Sequence, residues 1–120
     1  MVGPLLLAAW PDGTTVRSSF RLAKTEDASP PVAPGNFNVV QIPQGTSVNG
    51  THMLFTFLCQ NCMDSTLGFA ASDTNAGSFS MAWALAATSV ARPADDATEL
   101  PFREAGRFLP LVRSRVLVLT

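Results

Sequence analysis

The sequence predicts an all-β domain, an antiparallel β-sandwich. Apolar residues recur mostly at every second position, which is the period of a strand and not of a helix. Turn-forming residues separate these runs at short intervals, and no stretch has the spacing of a long amphipathic helix. With 120 residues, 47% of them hydrophobic and 14% charged, the chain is long enough for one core and too apolar for global disorder.

The first two predicted strands are joined by a turn. Residues 4–10 form a continuous apolar run, as expected for a strand buried on both faces, and Pro11-Asp12-Gly13 turns the chain. Residues 15–22 alternate, which predicts a strand with one solvated face. Its apolar side would hold Val16, Phe20 and Leu22, and its solvated side Arg17, Ser19 and Arg21.

Three further strands are predicted after a proline-rich loop at residues 25–36. They cover residues 37–42, 51–58 and 78–86, and the 51–58 run has the cleanest alternation in the chain. We interpret the aromatic and methionine side chains of these runs, and both tryptophans, as core and not as the lining of a cofactor site. They are Trp10, Phe55, Phe57, Phe79, Met81 and Trp83.

The composition changes near residue 101, where serine, threonine and asparagine give way to arginine, leucine and valine. We therefore predict that residues 1–100 form an incomplete β-sandwich domain and that residues 101–120 are a divergent tail. Within that tail, residues 112–119 have the pattern of a last strand. The alternative is that the tail is foreign to the domain.

Charge and hydropathy exclude two classes of partner. The net charge is −1 and the isoelectric point about 5.6, so the chain lacks the basic footprint of a nucleic-acid-binding protein. No apolar run approaches the ~20 residues that a membrane span needs. Residues 5–10 resemble the apolar part of a signal peptide but have no basic segment before them, so a leader would lie upstream of Met1.

The pair Cys59-Gln60-Asn61-Cys62 permits three interpretations: a redox dithiol, half of a zinc site, or a local disulfide. A redox motif normally opens a helix, and no amphipathic helix is predicted here. A zinc site needs about four ligands, and the chain offers one histidine besides these thiols. The context therefore favours a small disulfide loop at the end of a strand.

Asn49-Gly50-Thr51 has the sequence of an N-glycosylation site, placed in a turn just before a strand. Asn49 is the candidate acceptor. Together with the close cysteine pair and the low lysine content, this motif predicts a protein of the secretory pathway.

The chain carries no catalytic site of its own that we can identify. His52 is its single histidine, and neither a nucleophile elbow nor an acidic pair accompanies it. We interpret His52 as an ordinary sheet residue. At most, the chain would be an electron-transfer part of an oxidoreductase.

The order of the motifs is more specific than any one of them. Over roughly residues 1–95, it resembles the haem-binding cytochrome domain of fungal cellobiose dehydrogenases and their stand-alone relatives. The motifs are Met1 with Leu-Leu-Leu-Ala-Ala-Trp at 5–10, Val-Arg-Ser-Ser-Phe-Arg at 16–21, Asn-Gly-Thr-His at 49–52, Cys-Gln-Asn-Cys at 59–62 and Phe-Ser-Met-Ala-Trp-Ala at 79–84.

The resemblance implies an immunoglobulin-like, DOMON-like β-sandwich that binds haem b outside the cell and carries single electrons. The implied redox partners are a flavin dehydrogenase domain or a copper polysaccharide monooxygenase. The family's axial methionine precedes the Leu-Leu-Leu-x-Ala-Trp strand and matches Met1, which makes Met1 the candidate ligand of the haem iron. The family's disulfide-bonded pair matches Cys59 and Cys62.

Two departures from the family pattern change the expectation for this chain. The family's domain begins before this strand, so the resemblance implies strands that residues 1–120 do not include, and its axial histidine follows the Ala-Trp-Ala strand, where this chain has its histidine-free tail. We therefore expect impaired haem binding. The alternative function is a non-catalytic β-sandwich module that binds carbohydrate or protein.

Overall fold

The computed structural model describes residues 5–24, 28–62, 78–86, 88–101 and 105–112. These ranges contain eight strands and one short 3₁₀ turn, Pro43–Gly45, and no α-helix. The strands are β1 (Leu5–Asp12), β2 (Thr15–Leu22), β3 (Asn38–Gln41), β4 (Ser47–Val48), β5 (Met53–Leu54), β6 (Phe57–Gln60), β7 (Ser78–Leu85) and β8 (Ala105–Val112).

Every strand pair is antiparallel. The pairs are β1–β2, β3–β6, β4–β5 and β7–β8, and within the described ranges each of these ladders stays two-stranded. The prediction of an all-β, antiparallel and incomplete fold is therefore confirmed. No helix in the described part of the chain is long and apolar enough to cross a membrane.

The β1–β2 hairpin is the predicted pair of strands with two corrections. Leu5–Ala9 are half-buried and not buried on both faces, and Pro11 and Asp12, which the sequence predicts to turn the chain, belong to β1. Leu5 lies opposite Leu22 and Asp12 opposite Thr15, so Gly13 and Thr14 form a two-residue turn. Gly13 has a φ of 63°, the left-handed region that glycine adopts without a steric penalty. The Thr15 hydroxyl also donates to the Asp12 carbonyl oxygen at 2.8 Å, which closes the turn.

The second face of β2 is buried at Ser19 and Arg21, so the prediction of a solvated face is wrong for these two residues, whereas Arg17 remains partly exposed. Ser19 is 8% exposed and Arg21 2% exposed. The segments 28–33 and 92–98 cover this face, and the Arg21 guanidinium donates to carbonyl oxygens from both of them. A sequence period predicts which residues share a face, but not whether a distant loop covers that face.

The predicted strand at residues 51–58 is also corrected, because the structure divides it. β5 pairs with β4, whereas β6 pairs with β3, and the chain changes partner at Phe55 and Thr56. Phe55 is fully buried and stacks on Phe57, with ring centroids 4.9 Å apart. The strict alternation of residues 51–58 therefore reflects side chains that face the same core, although the two halves belong to different ladders.

The last described strand, β8, lies earlier in the chain than the last strand that the sequence predicts. The predicted strand at residues 78–86 agrees with β7, and its partner β8 begins at Ala105, before the predicted last strand at residues 112–119. Residues 113–120 lie outside the described residues. The predicted burial of Met81 and Trp83 concerns side chains that are likewise outside the described part.

The described core lies between the β1–β2 hairpin and the segments that pack on it. Trp10 is 5% exposed and Val16 3% exposed, so the predicted burial of Trp10 is confirmed. The Trp10 indole Nε1 donates to the carbonyl oxygen of Pro93 at 2.9 Å. This contact joins the first strand to the segment that follows β7.

Candidate functional site

The predicted glycosylation motif forms a tight turn between β4 and β5. The Asn49 side-chain Oδ1 accepts hydrogen bonds from the backbone N–H groups of Thr51 at 2.9 Å and His52 at 2.8 Å. The Asn49 backbone N–H donates to the His52 carbonyl oxygen at 3.0 Å. Asn49, Gly50, Thr51 and His52 are all exposed, so the motif lies on the surface of the fold.

His52 lies in this turn with its side chain exposed. Its Nδ1 lies 2.8 Å from the Thr51 Oγ1, which in turn lies 3.1 Å from the Asn49 Oδ1. The Thr51 hydroxyl has one proton to donate, and the tautomer of His52 decides which of the two partners receives it. This arrangement fixes the imidazole beside Thr51.

The cysteine pair forms a disulfide at the end of β6, so the interpretation as a local disulfide is confirmed. The Cα atoms of Cys59 and Cys62 lie 5.8 Å apart, within the ordinary range for a disulfide. Asn61 has a φ of 61°, a left-handed conformation that asparagine tolerates, and this lets the chain reverse between the two cysteines. Cys62 is buried and Cys59 is half-buried.

His52, the one histidine among the described residues, is exposed in a surface turn, and both cysteine sulfurs are joined to each other. No group of three or more histidine, cysteine, aspartate or glutamate side chains that could hold a metal ion occurs in the ranges described. Met1, the candidate axial ligand, lies outside the described residues.

A shallow groove lies along the outer edge of β2 in the described part of the chain. It consists of two adjoining depressions of about 310 and 410 Å³, which share Ser18 and Asp96 in their linings. Phe20 and Phe37 line the first depression. Thr15, Arg17 and Gln41 line the second.

Hydrogen bonds along the edge of β2 hold the walls of this groove. The Ala33 N–H donates to the Phe20 carbonyl oxygen at 2.9 Å. The Gln41 side-chain Nε2 donates to the Val16 carbonyl oxygen at 2.6 Å. The groove is therefore bounded at both ends by segments that are bonded to the same strand.

Charges at the groove are paired. Arg17 lies 3.1 Å from a carboxylate oxygen of Asp96 and 3.1 Å from one of Asp12. The hydrogen bond that Arg17 donates to Asp96, and then the one it donates to Asp12, raise the pKa of Arg17 above its ordinary value. The guanidinium therefore stays charged, and the groove combines an arginine paired with two carboxylates with neutral polar and aromatic groups.

The groove is not predictable from local sequence patterns. The alternation of β2 predicts a strand, and the aromatic residues of the chain predict a core. Phe37 reaches Phe20, however, only because the proline-rich segment folds back along β2. The ring centroids of the two phenylalanines lie 5.5 Å apart. No local spacing signals such a contact.

One comparison with known proteins identifies the family. Residues 1–108 of the chain match the family described as the cytochrome domain of cellobiose dehydrogenase. The match includes the β1–β2 hairpin, the disulfide, β7 and the first part of β8. Since it spans most of the 120 residues, the chain belongs to the family of cytochrome domains of cellobiose dehydrogenase.

Proposed function

We propose that this chain derives from an extracellular b-type haem electron-transfer domain and that its own haem binding is impaired. The family membership carries the first part of the proposal, because a cytochrome domain of this kind is the electron-transfer part of an oxidoreductase. When bound, haem b would supply one-electron chemistry, and the protein would supply axial ligands and burial.

The axial ligands carry the second part of the proposal. Met1 is the candidate for one of them by its position in the family pattern. His52 is the single histidine of the chain, and it is exposed and hydrogen-bonded to Thr51. Residues 101–120 contain no histidine at all. Six-coordinate binding by a methionine and a histidine would therefore lack its second ligand.

The proposed location is extracellular. A disulfide between Cys59 and Cys62 is expected to persist in an oxidising compartment, and the exposed Asn49 turn has the sequence that secretory-pathway glycosylation uses. The proposed redox partners are a flavin dehydrogenase domain or a copper polysaccharide monooxygenase. Neither a nucleic acid nor a membrane span belongs to the proposal.

The test is a titration of the folded, oxidised chain with haem, followed by absorption spectroscopy before and after reduction. We expect no sharp Soret band and no resolved α and β bands on reduction, because the second axial ligand is missing. A near-ultraviolet circular dichroism spectrum of the same sample establishes that the chain is folded.

A six-coordinate low-spin spectrum from the folded chain would overturn the impairment. The variant His52→Ala then identifies whether His52 supplies the ligand. A folded chain without a specific haem spectrum supports the impairment, and it favours the alternative function of a non-catalytic binding module for the described fold.

A further inference from the structure

We propose that the groove along β2 is a binding site for a neutral oligosaccharide. The proposal is independent of haem, because the lining of the groove belongs to the described residues and includes neither Met1 nor His52. It depends on three features of the groove: an open backbone position, an aromatic wall and a compensated charge.

The open backbone position is Ser18. The carbonyl groups of Val16 and Phe20 point away from β1, since they accept hydrogen bonds from Gln41 and Ala33 on the outer side of β2. Because a strand repeats every two residues, Ser18 turns its own N–H and C=O groups to the same outer side. Among the described residues, none bonds either group, and Ser18 lines both depressions.

This single open position favours a saccharide over a peptide strand. Strand addition needs a row of free backbone groups, and here Gln41 and Ala33 already bond the positions on each side of Ser18. A sugar hydroxyl donates and accepts at once, so it can satisfy the Ser18 carbonyl and N–H groups with one or two oxygens.

The aromatic wall provides an apolar surface for the face of a sugar ring. Phe20 and Phe37 meet at 43° with both side chains half-buried, so part of their surface is available in the groove. The ring of Phe37 lies against the backbone of Gly35, since an added Cβ atom there would lie 2.9 Å from it, and it also contacts Phe20. A wall that is fixed before binding reduces the entropy lost on binding.

The charge distribution selects a neutral ligand. Arg17 is paired with both Asp96 and Asp12, so this cluster offers no free cation and carries one net negative charge, and the remaining lining consists of serine, threonine, amide and apolar side chains. An acidic sugar would meet no unpaired cation among these residues. The two depressions adjoin at Ser18 and Asp96, so the groove favours a chain of sugar units over a single one.

The experiment follows the backbone amide of Ser18 by nuclear magnetic resonance in the ¹⁵N-labelled full chain. The probes are neutral hexasaccharides of glucose, xylose and mannose, with glucose and a galacturonate hexasaccharide as comparisons, each up to about 10 mM. We expect at least one neutral hexasaccharide to shift Ser18 and its neighbours in the groove. We expect that probe to bind at least about tenfold more tightly than glucose or the acidic hexasaccharide.

Matched variants test the location. Phe37→Leu should weaken binding about tenfold, whereas Phe57→Leu, which replaces an equally half-buried phenylalanine outside the groove, should leave it unchanged. Asp96→Ala gives a second test at an exposed side chain, so it does not depend on whether Phe37→Leu folds.

Three results would overturn the proposal. They are the absence of shifts at Ser18 with all three neutral hexasaccharides, preferential binding of the acidic hexasaccharide, and binding that neither Phe37→Leu nor Asp96→Ala weakens.

Discussion

Trp10 and Pro93 are 83 residues apart in the chain, and the indole Nε1 of the first donates to the carbonyl oxygen of the second at 2.9 Å. Trp10 belongs to the first strand, and Pro93 to the segment after β7. The contact therefore closes the described core between two distant parts of the sequence.

Trp10→Phe should test this contact with little change in apolar burial. The phenyl ring keeps most of the buried surface but has no N–H group, so we expect the free energy of unfolding to fall by about 1 kcal/mol. Trp10→Ala should cost about 3–5 kcal/mol, because it also removes the buried ring. Urea denaturation measures both, and a Trp10→Phe variant as stable as the unchanged chain would show that the hydrogen bond contributes nothing.

Arg21 holds the second face of β2. Its guanidinium donates to the Ser19 hydroxyl and to the carbonyl oxygens of Pro30, Asp96 and Thr98. Burial lowers the pKa of Arg21, since desolvation penalises the charged form. Among the described residues, the side chain is therefore stabilised by directed hydrogen bonds to neutral groups and not by a direct carboxylate partner.

Arg21→Met should destabilise the fold by about 2–4 kcal/mol, because it leaves several part-buried carbonyl groups without donors. Arg92→Met is the control. Arg92 pairs with Asp95 at the surface, with 68% of its side chain exposed, and such pairs contribute at most about 1 kcal/mol. Comparable losses in the two variants, measured by urea denaturation, would contradict the role assigned to Arg21.

Two glycines offer a matched test of packing. Gly45 ends the 3₁₀ turn and lies against Thr56, between β5 and β6, whereas Gly50 lies in the turn between β4 and β5. A Cβ atom at Gly45 would lie 2.7 Å from the Cβ of Thr56, whose hydroxyl donates to the Gly45 carbonyl oxygen at 2.7 Å. At Gly50 nothing lies within 4 Å of the corresponding position. Gly45→Ala should therefore cost about 1–3 kcal/mol and Gly50→Ala less than about 0.5 kcal/mol.

Thermal and urea denaturation of the two alanine variants check this prediction. Neither glycine has a positive φ, so a difference between the variants reports the contact with Thr56 and not backbone strain. If Gly45→Ala were as stable as Gly50→Ala, the close approach of the 3₁₀ turn to Thr56 would be wrong.

The sequence predicts those parts of the fold that local pattern determines. β2 and β7 follow the alternation of their own residues, and the hairpin turn follows the conformational freedom of Gly13. The division of residues 51–58 was not predictable, because the two halves bury the same face and differ only in their partners, β4 and β3. Partner choice depends on residues that are distant in sequence.

The candidate sites show the same difference between features set by local sequence and features that join distant segments. The disulfide lies between residues three positions apart, so its spacing was visible in the sequence. The groove depends on Phe37 meeting Phe20 and on Gln41 reaching Val16, both of which bring separate segments together. Family membership was visible in the order of the motifs, whereas the burial of Arg21 was not.

The disulfide should stabilise the fold modestly. The loop closed by Cys59 and Cys62 is short, so removing both sulfurs in the double variant Cys59→Ser, Cys62→Ser should cost about 2 kcal/mol by the chain-entropy relation. Alkylation and mass spectrometry of secreted, non-reduced protein should detect no free thiol. Two free thiols in that material would contradict both the disulfide and the extracellular location.

Asn49 should carry a glycan when the chain is secreted from a eukaryotic host. The exposed turn and the Asn-Gly-Thr sequence provide an acceptor amide and the required hydroxyl residue, and the chain contains no second site of this kind. Peptide mass spectrometry before and after enzymatic deglycosylation identifies the modified residue. Asn49→Gln should abolish the glycan and Thr51→Ser should retain it, because serine keeps the hydroxyl. An unmodified Asn49 in secreted protein would remove the glycan from the proposal and leave the disulfide as the remaining support for an extracellular location.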